Sequence, residues 1–180
     1  MAWARVAALL GLATLLGLGC ASGRPRTSAH ALLTVPFEGQ SGPRLGALAC
    51  VGMLTRSYGR LMSPAALQGL VDEAQATGGV SAASLKAALE EAGYDVAVFP
   101  GRLDHSLYGL YPSLDQGRPV IVMDGTGPPH YSLLVGYDQA KGTILLLDPA
   151  VGQVLMPARA FEDPWDQAHH FALLATLRVR

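Results

Sequence analysis

A histidine and an aspartate in the second half of the chain are candidates for a catalytic pair. His130 follows the turn GTGPP and begins the run HYSLLVGYD, whereas Asp148 ends the next apolar run, TILLLD. Because a tight turn joining two antiparallel strands brings the start of the first beside the end of the second, we expect the two side chains to be hydrogen-bonding neighbours. An imidazole held by a carboxylate is the base of many nucleophilic hydrolases. The spacing alone is weak evidence, because a histidine after two prolines is more often a loop or strand-edge residue and an Asp-Pro pair is more often an ordinary turn.

A nucleophile for this pair would have to come from the first half of the chain. The chain has two cysteines, Cys20 and Cys50. A thiol hydrolase holds its thiolate at the N-terminus of a helix, beside a donor that stabilises the oxyanion. Cys50 instead lies inside the run 46–58, whose small and apolar residues predict a helix that ends before Gly59. Its apolar neighbours favour a buried structural role for the thiol.

Helices in the first half and strands in the second half are the elements that would position these side chains. Three stretches have helical spacing with N-cap or helix-stop residues: 46–58, 63–76 and 81–93. Runs of β-branched and aliphatic residues between turn residues predict strands: 95–99, 120–124, 130–138, 143–148, 153–156 and 171–179. A short helix is predicted near 157–165, and 103–116 is ambiguous because Gly109 and Pro112 interrupt its helical spacing. The order predicts an α+β fold with N-terminal helices packed on a C-terminal antiparallel sheet.

Composition limits the kinds of function. With 180 residues, of which 50% are hydrophobic and 15% charged, the chain is expected to form one compact domain after its N-terminal segment. A formal net charge of −1 argues against a nucleic-acid partner. There is no Cys-x-x-Cys pair and no His-Glu-x-x-His motif, so we expect no metal site and no cofactor. His30 and His105 are expected in loops, and His169 and His170 at an exposed turn.

The N-terminus indicates export. Arg5 precedes the uninterrupted apolar run 6–18, which is too short to span a bilayer comfortably and has the length of a signal-peptide core. The run ends in Leu-Gly-Cys at Cys20, which resembles the bacterial lipoprotein signal, in which that cysteine becomes the lipidated new N-terminus. The usual leucine three residues before the cysteine is Gly17 here. An ordinary cleaved signal and a retained anchor are therefore kept as alternatives.

These features predict three segments. Residues 1–20 are a signal peptide with a lipoprotein-like cleavage site at Cys20, and residues 21–34 are a linker rich in polar residues. Residues 35–180 form the folded domain. The protein is expected in the cell envelope, on the periplasmic side, with its membrane contact made through the N-terminal lipid.

Motifs across this domain resemble a known family. In order, they are VPF with a following glutamine, a helix ending in SYG, the strand GRPVIV, HYSLLVGYD and LLLDPA. Together they resemble the papain-like cysteine peptidase domain of the bacteriocin-processing type, which also cleaves double-glycine leaders in some peptide exporters. The resemblance covers about 35–177. It implies a papain-like fold, catalytic roles for His130 and Asp148, and the role of oxyanion donor for Gln40.

The chain departs from the family at the nucleophile. In the family, the nucleophilic cysteine lies six residues after the glutamine and thirteen before the glycine that closes its helix. Counting forward from Gln40 and counting back from Gly59 both lead to Gly46. The resemblance therefore implies that glycine has replaced the nucleophile, and no acyl intermediate can form at this position.

Two other residues are considered as substitutes. Cys50 lies one turn into the same helix, about 6 Å from Gly46 along the helix axis. There its thiol loses the helix-end amides and the oxyanion donor. Ser41 begins Ser-Gly-Pro, which copies the Cys-Gly-Pro that often opens the family's helix. Because Ser41 directly follows Gln40, its use would require a displaced glutamine and a longer helix.

Three functional hypotheses follow. The leading one is an exported lipoprotein whose peptidase-like domain has lost its nucleophile and binds a peptide or protein segment in the old cleft. The second is an active cysteine peptidase or amidase that uses Cys50 with His130 and Asp148. The third, from a different class, is a structural envelope lipoprotein in which the fold is only a scaffold.

Overall fold

The computed structural model describes residues 29–179. The predicted signal peptide, the predicted lipidation site Cys20 and the first part of the predicted linker lie outside the described residues. Within 29–179, no helix is both long and apolar enough to span a membrane.

Seven strands and five helices make up the described part of the chain. In order they are β1 (His30–Leu32), α1 (Gly46–Ser57), α2 (Pro64–Thr77), α3 (Ala82–Glu91), β2 (Tyr94–Pro100), α4 (Tyr111–Asp115), β3 (Val120–Asp124), β4 (His130–Asp138), β5 (Thr143–Asp148), β6 (Gly152–Pro157), α5 (Ala158–Gln167) and β7 (Phe171–Leu177). Three helices precede most of the sheet, as the sequence predicts. The ambiguous stretch 103–116 forms a turn-rich loop followed by the short helix α4.

The helix boundaries follow from capping chemistry. Ser63 accepts a hydrogen bond from the amide of Ala66 at 3.1 Å, and α2 ends at Gly78 in the left-handed conformation. Ser81 caps α3 in the same way, through the amide of Ser84 at 3.1 Å. By contrast, no side chain caps the start of α1, where Leu45 is the N-cap residue. The first amides of α1 are therefore left without a capping side chain.

The strands form one antiparallel sheet. Its order is β2-β7-β3-β4-β5-β6, and β1 pairs with β4 beyond the end of β3. At the β3–β4 turn, Asp124 faces His130, and at the β5–β6 turn, Asp148 faces Gly152. In the β4–β5 hairpin Leu133 faces Leu147, so the first residue of β4 lies close to the last residue of β5. The α+β fold class predicted from the sequence is confirmed.

Residues 30–33, which the sequence assigns to the linker, pair with the edge of the sheet. His30–Leu32 pairs with Asp138–Gly136, and the amide of Leu33 donates to the carbonyl of Val135 at 2.8 Å. The expectation that His30 lies in a loop is wrong. Three residues are too few to show strand periodicity, and their pairing is set by the edge that β4 leaves free beyond Val120, the first residue of β3.

The sheet lies between two apolar layers. Alternate residues of β4 face opposite sides, so that Leu133 packs with α1 and α3 while Leu134 packs with α4 and α5. Cys50 and Met53 of α1 are fully buried in the first layer, and Trp165 of α5 is fully buried in the second. The helices that carry the candidate site thus pack on one face of the sheet, and two short helices cover the other.

Candidate active site

His130 and Asp148 are hydrogen-bonded. Nε2 of His130 lies 2.9 Å from Oδ2 of Asp148, and the aspartate's other oxygen accepts the amide of Ala150 at 2.8 Å. The two residues stand at the start of β4 and the end of β5, so the hairpin itself creates the pair. The bond engages Nε2, which leaves Nδ1 as the ring nitrogen available for a reaction partner. The histidine side chain is 36% exposed and the aspartate 17%, so the pair reaches solvent from the histidine side.

Gln40 and Gly46 meet beside this pair. A Cβ built on Gly46 would lie 3.1 Å from Oε1 of Gln40 and 3.9 Å from the carbonyl oxygen of Tyr131. The backbone amide of Gln40 donates to the carbonyl of Pro149 at 2.9 Å. The segment before α1 is therefore tied to the turn that follows Asp148, and the side chain of Gln40 faces position 46.

A cleft of about 330 Å³ joins these residues. Its lining comes from the start of α1, the loop after α2 and the turn before β4: Gln40, Pro43, Arg44, Gly46, Ala47, Gly78, Gly79, Val80, Pro128, Pro129, His130 and Tyr131. No lining residue is acidic, and Asp148 lies behind His130. Gly46, Gln40 and His130 thus share one cavity, whose walls contain three glycines and three prolines.

Gly46 lies at the N-terminal end of a helix. It is the first residue of α1, where uncapped amides and the positive end of the helix dipole lower the pKa of a cysteine. Gly46 itself is buried and lines the cleft. Glycine supplies no nucleophilic atom, so this helix start can polarise a ligand but cannot attack one.

Cys50 does not reach the cleft. Its side chain is fully buried in the core layer on the helix side of the sheet. Burial raises the pKa of the thiol well above its usual value, and the nearby charge of Asp148 raises it further. A peptidase nucleophile needs the opposite shift and an exposed sulfur. The geometry therefore disfavours Cys50 as a substitute.

Ser41 faces a different cavity. The residue is exposed and lines a space of about 370 Å³ with Leu45 and Leu67, near the ion pair in which Arg56 lies 2.6 Å from Glu38. That cavity does not contain His130. With Gln40 facing position 46, Ser41 is directed away from the imidazole that would have to activate it.

Two residues at the cleft, Arg44 and Tyr131, are not predicted as site residues from the sequence. Arg44 lines the cavity with a left-handed backbone at φ 68°, and a Cβ built on Gly78 would lie 3.4 Å from its Nη1. The hydroxyl of Tyr131 donates to the carbonyl of Val80 at 3.0 Å and so joins β4 to the loop after α2. Neither contact has a local pattern, because each joins segments that are distant along the chain.

A second polar cluster lies on the other face of the sheet. Nε2 of His105 lies 3.1 Å from both Oδ2 of Asp115 and the hydroxyl of Tyr137, and that hydroxyl donates to Oδ1 of Asp115 at 2.6 Å. His105 is in a loop, as expected, but its side chain is only 16% exposed. Tyr111 stacks on Tyr137 with ring centroids 3.8 Å apart. The cluster anchors the loop before α4.

The remaining histidines lie away from the cleft. His169 and His170 form the turn before β7, both with left-handed backbones, and Nε2 of His170 lies 3.4 Å from Glu162. Among residues 29–179, no group of three or more histidine, cysteine, aspartate or glutamate side chains is arranged to hold a metal ion.

Comparisons with known proteins identify the family and the fold. Residues 35–175 match the model of the peptidase C39 family. The peptidase domain of Streptococcus ComA, a bifunctional ABC transporter involved in quorum sensing, is similar in structure, with a TM-score of 0.61 and 18% identity over 82% of this chain and 98% of that one. No curated protein sequence matches the chain significantly.

Two further solved structures have the same fold. A double-glycine-motif protease from an AMS/PCAT transporter, solved in complex with the leader peptide, has a TM-score of 0.60 and 18% identity over 81% of this chain and 93% of that one. A C39-like peptidase from Bacillus anthracis has a TM-score of 0.60 and 19% identity over 84% of this chain and 99% of that one. At these identities the likeness concerns the fold alone.

Proposed function

Because the chain belongs to the peptidase C39 family, we propose that its domain is a peptidase-like binding module that holds a peptide segment in the Gly46–His130 cleft without cutting it. The observation that carries the proposal is Gly46. It stands at the start of α1, beside Gln40 and in the same cavity as His130, where a cysteine peptidase needs its sulfur. In this proposal Gln40, His130 and Asp148 are retained from a catalytic set and now shape the cleft.

Chemistry supports binding over cleavage. Covalent peptide hydrolysis by this mechanism requires a thiolate that attacks the carbonyl carbon and forms an acyl intermediate. Gly46 has no such atom, Cys50 is fully buried with a raised thiol pKa, and Ser41 lines another cavity. The cleft remains open to a ligand, and a relative with this fold was solved with a leader peptide bound.

Thiol labelling tests the loss of the nucleophile. The full-length chain is treated with an epoxysuccinyl peptidase inhibitor and analysed by mass spectrometry. We expect no adduct on Cys50 in the wild-type protein, whereas Gly46→Cys gains an adduct because the new thiol lies at a helix start near His130. The end of the Gln40 side chain must shift slightly to admit this Cβ. Stoichiometric labelling of Cys50 would establish the competing active-peptidase hypothesis instead.

Blocking the cleft tests peptide binding. Both Gly79, which lines the cleft, and Gly69, on the exposed face of α2, have no atom within 4 Å of a built Cβ, and neither has a left-handed backbone. Gly79→Trp should therefore add bulk at the wall of the cleft with little strain, and Gly69→Trp is its matched control. We expect dye-labelled peptides containing a Gly-Gly pair to bind the wild type and Gly69→Trp, but not Gly79→Trp, in fluorescence anisotropy. Equal binding by all three proteins, or none by any, would favour the scaffold hypothesis.

We also propose that the protein is an exported lipoprotein anchored through Cys20. The proposal rests on the apolar run and Leu-Gly-Cys at the N-terminus. In a bacterial host fed an alkyne-bearing fatty acid, we expect label in the wild type and in Cys50→Ala, and none in Cys20→Ser. Secretion of an unlabelled wild-type protein would support an ordinary cleaved signal.

A further inference from the structure

Arg44 is placed where it can recognise a ligand of the cleft. Its guanidinium extends over Gly78, with Nη1 3.4 Å from a Cβ built on that glycine, and the residue lines the same cavity as Gly46 and His130. Among the described residues Arg44 forms no ion pair. A cation in the same cavity as Gly46 is therefore not neutralised by a carboxylate of this part of the chain.

The rest of the cleft is suited to a negatively charged group. The polar side chains that line it are Gln40, Arg44 and His130, together with the backbone-directed hydroxyl of Tyr131, and none of the lining residues is acidic. Asp148 is occupied by its hydrogen bonds to His130 and to the amide of Ala150. Because Gly46 has no side chain, ligand atoms can occupy the space in which a nucleophile would stand.

Arg44 also has a simple structural explanation. Gly78 is the C-cap of α2, and a cation near the carboxyl end of a helix stabilises the helix dipole. That role requires no ligand, and removal of the charge would then lower stability without changing recognition. The two roles are separable because one is measured by unfolding and the other by ligand preference.

We propose that the cleft binds a peptide carboxylate and that Arg44 is the residue that selects it. This inference rests on the proposed peptide-binding function and adds the chemical class of the ligand. The carboxylate comes either from the C-terminus of a peptide or from an aspartate or glutamate side chain. A guanidinium binds a carboxylate through two parallel charge-assisted hydrogen bonds, which neither an amide nor an uncharged ester can reproduce.

Three dye-labelled probes of otherwise identical sequence distinguish the sources. The first ends in Gly-Gly with a free carboxylate, the second ends in Gly-Gly amide, and the third is the amide with one aspartate directly before the Gly-Gly pair. Binding to the full-length chain is measured by fluorescence anisotropy. We expect the first or the third probe to bind at least about tenfold more tightly than the second, the scale of one charge-assisted hydrogen bond.

Arg44→Gln should remove this preference. We expect the Arg44→Gln variant to bind the carboxylate probe only as tightly as the amide probe. Its affinity for the amide probe should equal that of the wild type. Arg44→Lys, which keeps the charge but loses the planar fork, should retain part of the preference. Arg159→Gln is the matched control, because Arg159 is an exposed arginine of α5 that does not line the cleft. Thermal unfolding of each variant measures the helix-end role separately.

The outcomes separate this inference from the function on which it rests. If the amide and carboxylate probes bind the wild type equally and Gly79→Trp blocks both, peptide binding holds and carboxylate selection is overturned. If Arg44→Gln lowers the melting temperature but leaves the probe preference intact, Arg44 is structural and its assignment is overturned. If no probe binds the wild type, both the function and the inference are overturned.

Discussion

One helical turn separates two positions of α1 with opposite chemical environments. Gly46 begins the helix and lines the cleft, beside Gln40 and His130. Cys50 points into the core, where it is fully buried and where desolvation, followed by the charge of Asp148, raises its thiol pKa. The presence of Cys50 in α1 therefore does not make it reactive, because the reactivity of a thiol depends on its closeness to the helix N-terminus and on its access to solvent.

A structural Cys50 makes a prediction about stability. Cys50→Ala should lower the free energy of unfolding by about 1–2 kcal/mol, because it leaves a small void in the core. Cys50→Ser should cost at least as much, since it buries a hydroxyl in an apolar site. Urea unfolding measures both effects, and peptide binding should persist. A Cys50→Ala protein that keeps its stability but loses a peptidase activity would contradict a packing role.

At the scale of elements, the junction between α2 and α3 forms one wall of the cleft. The loop from Gly78 to Val80 lies between the end of α2 and the N-cap Ser81 of α3. Oε1 of Glu73 accepts the amide of Ser81 at 3.0 Å, which ties the two helices together across the loop. The helix caps that fix this wall can be predicted from the sequence. The hydrogen bond between Glu73 and Ser81 cannot.

The Glu73 contact predicts a pH-dependent contribution to stability. Hydrogen bonds from the Ser84 side chain and then from the Ser81 amide lower the pKa of Glu73 below its ordinary value of 4.5. The stabilisation of the fold by the Glu73 carboxylate is therefore fully present above pH 4.5 and is lost as the pH falls through the lowered pKa. We expect Glu73→Gln to lower the melting temperature slightly at pH 7, with no difference from wild type in strong acid.

Glu91→Gln is the matched control for this prediction. Glu91 is an exposed glutamate on α3 whose side chain forms no hydrogen bond or ion pair within residues 29–179. Its substitution should leave the melting temperature unchanged at both pH values. A Glu73→Gln deficit of the same size at neutral and acid pH would show that its carboxylate charge is not involved.

At the scale of the whole molecule, the cleft lies where the helical layer meets the sheet. The β4–β5 hairpin supplies His130 and Asp148, and the helical layer supplies Gly46. The buried hydroxyl of Tyr131 joins the two layers through the carbonyl of Val80. Weakening that bond should affect the stability of the fold and the position of the cleft wall together.

Tyr131 predicts a loss of stability in alkali. Burial, followed by the charges of Cys50 and Glu73, raises its pKa from 10.0 to about 12. Because the phenol ionises at lower pH in the unfolded chain than in the folded one, the contribution of Tyr131 to stability is intact below about pH 10. This contribution is lost as the pH rises toward 12. Tyr131→Phe should cost about 1 kcal/mol at neutral pH, since it leaves a buried carbonyl unpaired, and should make alkaline unfolding less steep.

Other buried tyrosines limit the size of that change. The pKa of Tyr94 is also raised to about 12, mainly by burial, so alkaline sensitivity should decrease rather than vanish. Tyr108→Phe is the control, because Tyr108 is 55% exposed. Guanidinium unfolding at several pH values compares the three proteins. An alkaline profile of Tyr131→Phe identical to that of wild type would show that Tyr131 does not ionise on unfolding in this range.

Much of the architecture can be predicted from short segments of the sequence. Ser63, Ser81 and Gly78 mark helix ends through backbone chemistry that acts over a few residues. The loop around His105 and the strand at His30 are less readable. His105 gains its partners from α4 and β4, and β1 exists only because β4 extends past β3.

The sequence by itself determined the order of the three N-terminal helices, the strands β2 to β7 and the His130–Asp148 hairpin, because periodicity, capping and turns act locally. That residue 46 is a glycine is also a property of the sequence alone. The tertiary structure decided that Gln40, Gly46 and His130 share one cavity, that Cys50 is buried and that Arg44 lines the cleft. Those facts depend on how the helical layer packs on the sheet. Contacts between segments distant along the chain arise from shape and burial, which no local pattern encodes.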